Sequence, residues 1–256
     1  MIITLIAGVM TSCKQINPVI STAHEWNSLQ VEKTNFGKKR TIYEGKSIAF
    51  ENTSATALTL SKGKSAPSVK VPIGNEELII IKEGNLELAS KDRNETLSTG
   101  SIVLVFEGNE YEIRNTGDDE VTYYVLRWTG NRKNNSAYKG SSLTVVKNWE
   151  DIKFEETKKG GIRNIIREPT PFLSEFEMHT TTLNEGMKSH DPHTHIEAEI
   201  ILVRYGNVEE MIDGKPFEVE PGSLIFLDSM IPHGIRNIGK GACEYYAFKW
   251  QLPMTE

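Results

Sequence analysis

Apolar residues along this chain come in short bursts. Runs at 78–81, 102–106, 121–128, 200–203, 224–227 and 245–250 are separated by Gly, Asn, Pro and Asp. Each is too short for a typical helix and rich in β-branched or aromatic side chains, the composition of strands in a packed sheet. No long stretch keeps its apolar positions at a helical period. Evenly spaced short strands with turn signals between them predict an all-β protein, a sandwich or a barrel.

The same pattern is written twice. The run from Trp26 to Thr34, followed by Gly37 and Arg40, recurs from Trp149 to Thr157, followed by Gly160 and Arg163. EELIIIKEG, ending at Gly84, matches AEIILVRYG, ending at Gly206. GSIVLVFEGNEYEIRNTG from Gly100 matches GSLIFLDSMIPHGIRNIG from Gly222. Three blocks in one order at a nearly constant offset indicate a tandem duplication. The chain is expected to divide into barrels at 25–130 and 148–256. A polar Gly/Asn/Ser-rich linker at 131–147 joins them.

The first 24 residues stand apart. Residues 1–10 are apolar but too short to span a bilayer, and Thr11-Ser12-Cys13-Lys14 follows. This resembles the end of a bacterial lipoprotein signal, with Cys13 lipidated and 14–24 as a tether. No Lys or Arg precedes the apolar stretch, however, and Met10 stands where such signals carry Leu. The expectation is export, periplasmic or membrane-anchored, with membrane contact only through a lipid on Cys13. The alternative is a buried N-terminal strand in a cytoplasmic protein.

Composition narrows the field. Charged residues are 25% and hydrophobic residues 38% of 256, as in ordinary soluble proteins. A net charge of −6 argues against nucleic acid as a partner. Two cysteines, Cys13 and Cys243, do not make a disulfide framework. A small molecule is the expected partner.

The chemistry concentrates late in the chain. Five of six histidines lie at or after His179, three of them between 190 and 195. His193, His195 and Glu199 share parity, so on a strand they point one way. His233 would join them from a distant strand of a closed sheet. Three imidazoles and a carboxylate suit one divalent transition metal (Mn, Fe, Co, Ni, Cu or Zn) better than Ca or Mg. Weaker catalytic candidates are His190 as a proton shuttle, Lys188 as a partner for a substrate carboxylate, and His179 as a wall residue.

Gly186, His193-x-His195-x-x-x-Glu199 and Gly206 resemble the first motif of the cupin superfamily. Gly222 and His233-x-x-x-Asn237 resemble the second, although Asp228 and Met230 stand where Pro and Gly are usual. The resemblance implies two jelly-roll barrels, a bicupin, with the metal in the second. In the first copy Glu77 matches Glu199, Tyr111 replaces His233, and Val71 and Ile73 fall near the HxH columns. That barrel is expected to be metal-free and to cover the face a single cupin buries by dimerising. The chain would then be a monomer imitating a dimer, or a higher homo-oligomer.

Three functions follow from this set. The first is a metal-dependent isomerase, lyase or aminohydrolase acting on a chelating sugar acid, hydroxy or keto acid, or ureido acid. The arrangement is similar to that of ureidoglycine aminohydrolases, but those carry Glu-x-His-x-x-x-His with a Gln. The second is an Fe- or Cu-dependent dioxygenase. The third is a binding protein for metal or sugar acid without turnover. The fold alone does not choose among them.

Overall fold

In a computed structural model, residues 17–91, 93–130, 138–139 and 144–253 are described. They form no α-helix; two single 3-10 turns, Trp26–Ser28 and Trp149–Asp151, interrupt a structure otherwise made of strands and loops. The first half folds Asn75–Glu83, Val121–Thr129, Ile102–Val105, Thr53–Leu60 and Gly37–Gly45 into a large antiparallel sheet. A smaller sheet of Glu110–Arg114, Leu86–Ser90, Asn94–Leu97 and Val69–Lys70 closes it. The second half repeats this with Ala198–Tyr205, Cys243–Gln251, Leu224–Leu227, Glu175–Leu183 and Gly160–Glu168. Val208–Ile212, Lys215–Val219 and His233–Asn237 form its smaller sheet. These are two jelly-roll barrels, the all-β class that the strand pattern predicts.

The continuous apolar runs have a simple cause. A strand covered on both faces cannot alternate with polar residues. Ile79 and Ile81 fill the first barrel, while Leu78 and Ile80 on the opposite face pack against the second half. Ile201 and Val203 fill the second barrel in the same way, with Ile200 and Leu202 facing back. The two large sheets thus share a third core, where Trp128 lies 5.6 Å from Trp250 and stacks on Phe176 at 5.7 Å.

Each half also lends the other a strand. Thr22–His24 pairs with Leu224–Leu227 in the second barrel, and Thr144–Lys147 pairs with Ile102–Val105 in the first. The end of the expected tether and the end of the expected linker are therefore sheet edges, because an uncovered edge leaves backbone groups unpaired. The segment 1–13, with the lipidation motif at Cys13, lies outside the described residues.

Contacts around the two arms are reciprocal. Trp26 N donates to Ser223 Oγ at 2.9 Å, and Trp149 N to Ser101 Oγ at 3.0 Å. Tyr124 donates its hydroxyl to the Gly222 carbonyl and Tyr246 to that of Gly100, both at 2.8 Å. The Arg40 guanidinium lies over Trp26 and the Arg163 guanidinium over Trp149. The repeated Trp and Arg columns thus do one job twice.

A candidate metal centre in the second barrel

Shared parity on one strand is not what gathers the cluster. Of the three residues that share parity, only Glu199 lies within a strand, Ala198–Tyr205, while His233 opens another, His233–Asn237. His193 sits in the loop before it and forms an isolated antiparallel bridge with His233, their backbones exchanging two hydrogen bonds of 3.0 Å. His195 lies between, its carbonyl accepting from Met230 N at 2.8 Å. Met230 adopts φ 63, the left-handed conformation that a glycine takes more cheaply, which explains why glycine is usual there.

The side chains converge. Ring centroids are 5.3 Å apart for His193–His195, 4.7 Å for His193–His233 and 4.9 Å for His195–His233. One ring nitrogen from each of the three lies within 4.8 Å of the others. Glu199 Oε2 is 2.8 Å from His195 Nε2 and 3.3 Å from His233 Nε2. His195 Nδ1 meets the Glu197 carbonyl at 2.9 Å, and His233 Nδ1 meets the Ile231 carbonyl at 2.8 Å.

These contacts test the fit of a cation. A carbonyl accepts only, so each Nδ1 carries a proton, and each Nε2 faces the carboxylate with a second proton when the ring is charged and with a lone pair when it is neutral. Neutral rings would set lone pairs against an anion, so the cluster needs positive charge, which ring protons supply in the free protein and a bound cation would supply in their place. His233 Nε2 is buried and, among the described residues, has no hydrogen-bond partner. Its 3.3 Å approach to Glu199 is a contact without bonding geometry. The donor set fits a divalent transition metal.

Electrostatics agree with the geometry. Burial pushes the Glu199 carboxyl up, but the facing His195 and His233 bring it down to about 2. The Glu199 hydrogen bond raises His195, whereas burial and the neighbouring imidazoles lower His193.

The weaker candidates separate. A cavity of about 230 Å³ beside the cluster is lined by His179 and His190, and not by Lys188. His190 packs its ring 4.1 Å from His193. His179, lowered by burial, faces inward from Glu175–Leu183. Lys188 pairs instead with Asp191 at the surface. Among the other wall residues, Glu210 and Lys249 are charged groups that the sequence reading did not single out. Glu210 shares its phase with Val208 and Ile212 in Val208–Ile212, so a glutamate in the inward register was the available signal.

The first barrel holds a different arrangement at the matching place. Tyr111 donates its hydroxyl to Glu77 Oε2 at 2.7 Å, and Arg127 pairs with Glu77 Oε1. Val71 is buried in the barrel core, while Ile73 is exposed. Arg127 stands opposite Glu77 just as Lys249 stands opposite Glu199. A guanidinium already balances the carboxylate there.

Comparison with known proteins agrees with this architecture. The Cupin_2 family model, described as a cupin domain, matches residues 179–249. No curated protein matches the chain at a significant level. Among solved structures, the putative glyoxylate induced protein from Pseudomonas aeruginosa is similar at TM-score 0.69 and 17% identity, covering 88% of this chain and 86% of that one. AerE from Microcystis aeruginosa is similar at 0.68 and 13%, covering 87% and 96%. The formate complex of Lactobacillus farciminis oxalate decarboxylase is similar at 0.68 and 11%, covering 93% and 88%. At such identities the likeness is one of fold. The domain match and these neighbours together support the cupin superfamily.

Proposed function

We propose that the chain is a bicupin, a tandem pair of cupin barrels, that holds one divalent transition metal on His193, His195, Glu199 and His233. We read it as an enzyme acting on a small chelating acid by isomerase, lyase or aminohydrolase chemistry. The observation that carries this is His233 Nε2, buried and unpartnered, turned with His195 Nε2 toward one carboxylate. Bound there, the metal would supply Lewis-acid polarisation of a substrate oxygen.

The chain's own residues shape what can enter. Ile201, Ile235 and Ala247 line the wall with hydrocarbon, which limits the water around the cluster. Lys249 adds a cation, held 3.5 Å from Glu177, which favours an anionic occupant. His190 and His179 flank the cavity as groups able to take or give a proton. A neighbour in fold is named as an oxalate decarboxylase, which is compatible with a small carboxylate here.

Metal analysis of purified variants tests the placement. His193→Ala and His233→Ala should lose bound metal, and Tyr111→Ala should keep it. Equal metal in all three would refute the assignment.

A further inference from the structure

Glu210 takes no part in the cluster, yet its setting is costly. It is fully buried, and among the described residues neither carboxyl oxygen has a hydrogen-bond partner. The Gly234 amide lies near enough to favour its charge without meeting bonding geometry. Burial, then the charge of Glu199, pushes its pKa well above the usual range. Leaving such a group unpaired is unfavourable in a protein interior.

The fold does not require it. Glu210 stands opposite Ile235 in the smaller sheet of the second barrel. The matching position in the first barrel, opposite Ile113, is Leu88, packed in the apolar core. One barrel fills the place with hydrocarbon; the barrel with the histidine cluster fills it with an orphan carboxyl. Both the cluster and Glu210 line the same cavity of about 230 Å³. That is below the roughly 300–1,000 Å³ of pockets for drug-sized ligands, so its occupant is small.

We propose that Glu210 is a specificity residue that accepts a hydrogen bond from a hydroxyl or amino arm of a small chelating acid held at the His193–His195–Glu199–His233 cluster. This rests on the metal reading above. Ionised or protonated, the carboxyl keeps an acceptor oxygen. A buried polar group left unpaired rejects an analogue lacking the donor arm.

The test uses cobalt(II)-loaded protein titrated by visible absorption with glycerate and with lactate, which differ by the terminal hydroxyl. The wild type should hold glycerate at least about tenfold more tightly. Glu210→Leu, the residue used at Leu88, should keep its cobalt and melt no lower than the wild type, yet lose the preference. Glu210→Gln, which retains an acceptor, should keep part of it. Equal affinities in the wild type, or a preference that survives Glu210→Leu, would overturn the proposal. So would a lower melting temperature in Glu210→Leu, which would make the residue structural. Failure of both probes to bind cobalt-loaded protein removes the ligand class and overturns the proposal. Failure of the wild type to take up cobalt is read before any probe is added; it refutes the metal reading, and this inference with it.

Discussion

Glu199 shows how much a single side chain can hold. Desolvation alone would favour its neutral form, but two imidazoles fixed by main-chain carbonyls face it. Its carboxyl therefore sits near 2 rather than 4.5. A depressed folded-state pKa contributes stability that is full above about 4.5 and lost as pH falls toward 2. In metal-free protein this amounts to on the order of 3 kcal/mol at most. The wild type should lose melting temperature between pH 5 and pH 3 more steeply than Glu199→Gln, measured by thermal denaturation after chelation. Parallel slopes would count against it.

Among the elements, the exchanged strands carry the clearest consequence. Thr22–His24 covers the outer edge of Leu224–Leu227 and runs on to Trp26, which packs under Arg40 and Lys82. Without that arm, the edge offers unpaired N–H and C=O groups to any other chain. A variant beginning at Glu25 should melt several degrees lower, since each kcal/mol lost is worth roughly 2–4 °C in a chain of this size. It should also self-associate in a concentration-dependent way on size-exclusion chromatography. A monomeric variant with unchanged melting would show that the arm is dispensable.

At the scale of the whole molecule, the halves are joined by a shared apolar core and by one buried carboxyl. Glu76, in the first large sheet, accepts from Trp128 Nε1 at 2.9 Å and from Thr170 Oγ1 at 3.0 Å across the junction. Burial raises its pKa to about 7, against hydrogen bonds that lower it. A raised folded-state pKa contributes stability that is full below about 4.5 and lost as pH rises through about 7. Unfolding by urea should therefore become easier from pH 6 to pH 8, and Glu76→Gln should flatten that dependence. An unaltered slope in Glu76→Gln would assign the effect elsewhere.

What the sequence determined by itself was the strand pattern, the duplicated Trp, Arg, Gly and Asn columns, and the identity of the clustered histidines. These are local or periodic signals, and a half-buried or fully buried strand writes them directly into its residues. Asn115 and Asn237 illustrate it. Each donates to two backbone carbonyls in its own barrel, so one turn geometry kept the same residue twice. Tertiary structure alone decided the rest. His193 and His195 reach Glu199 from a loop pinned to His233, and strand parity had no part in it. Arg127 meets Glu77 across the sheet from fifty residues away in the chain, a pairing that no local pattern announces. The inward register of Glu210 was legible in its strand, but that neither of its carboxyl oxygens meets a hydrogen-bond partner among the described residues shows only in the closed barrel. Contacts between distant segments leave no period in a sequence, so which charge meets which cavity is fixed only when the sheets pack.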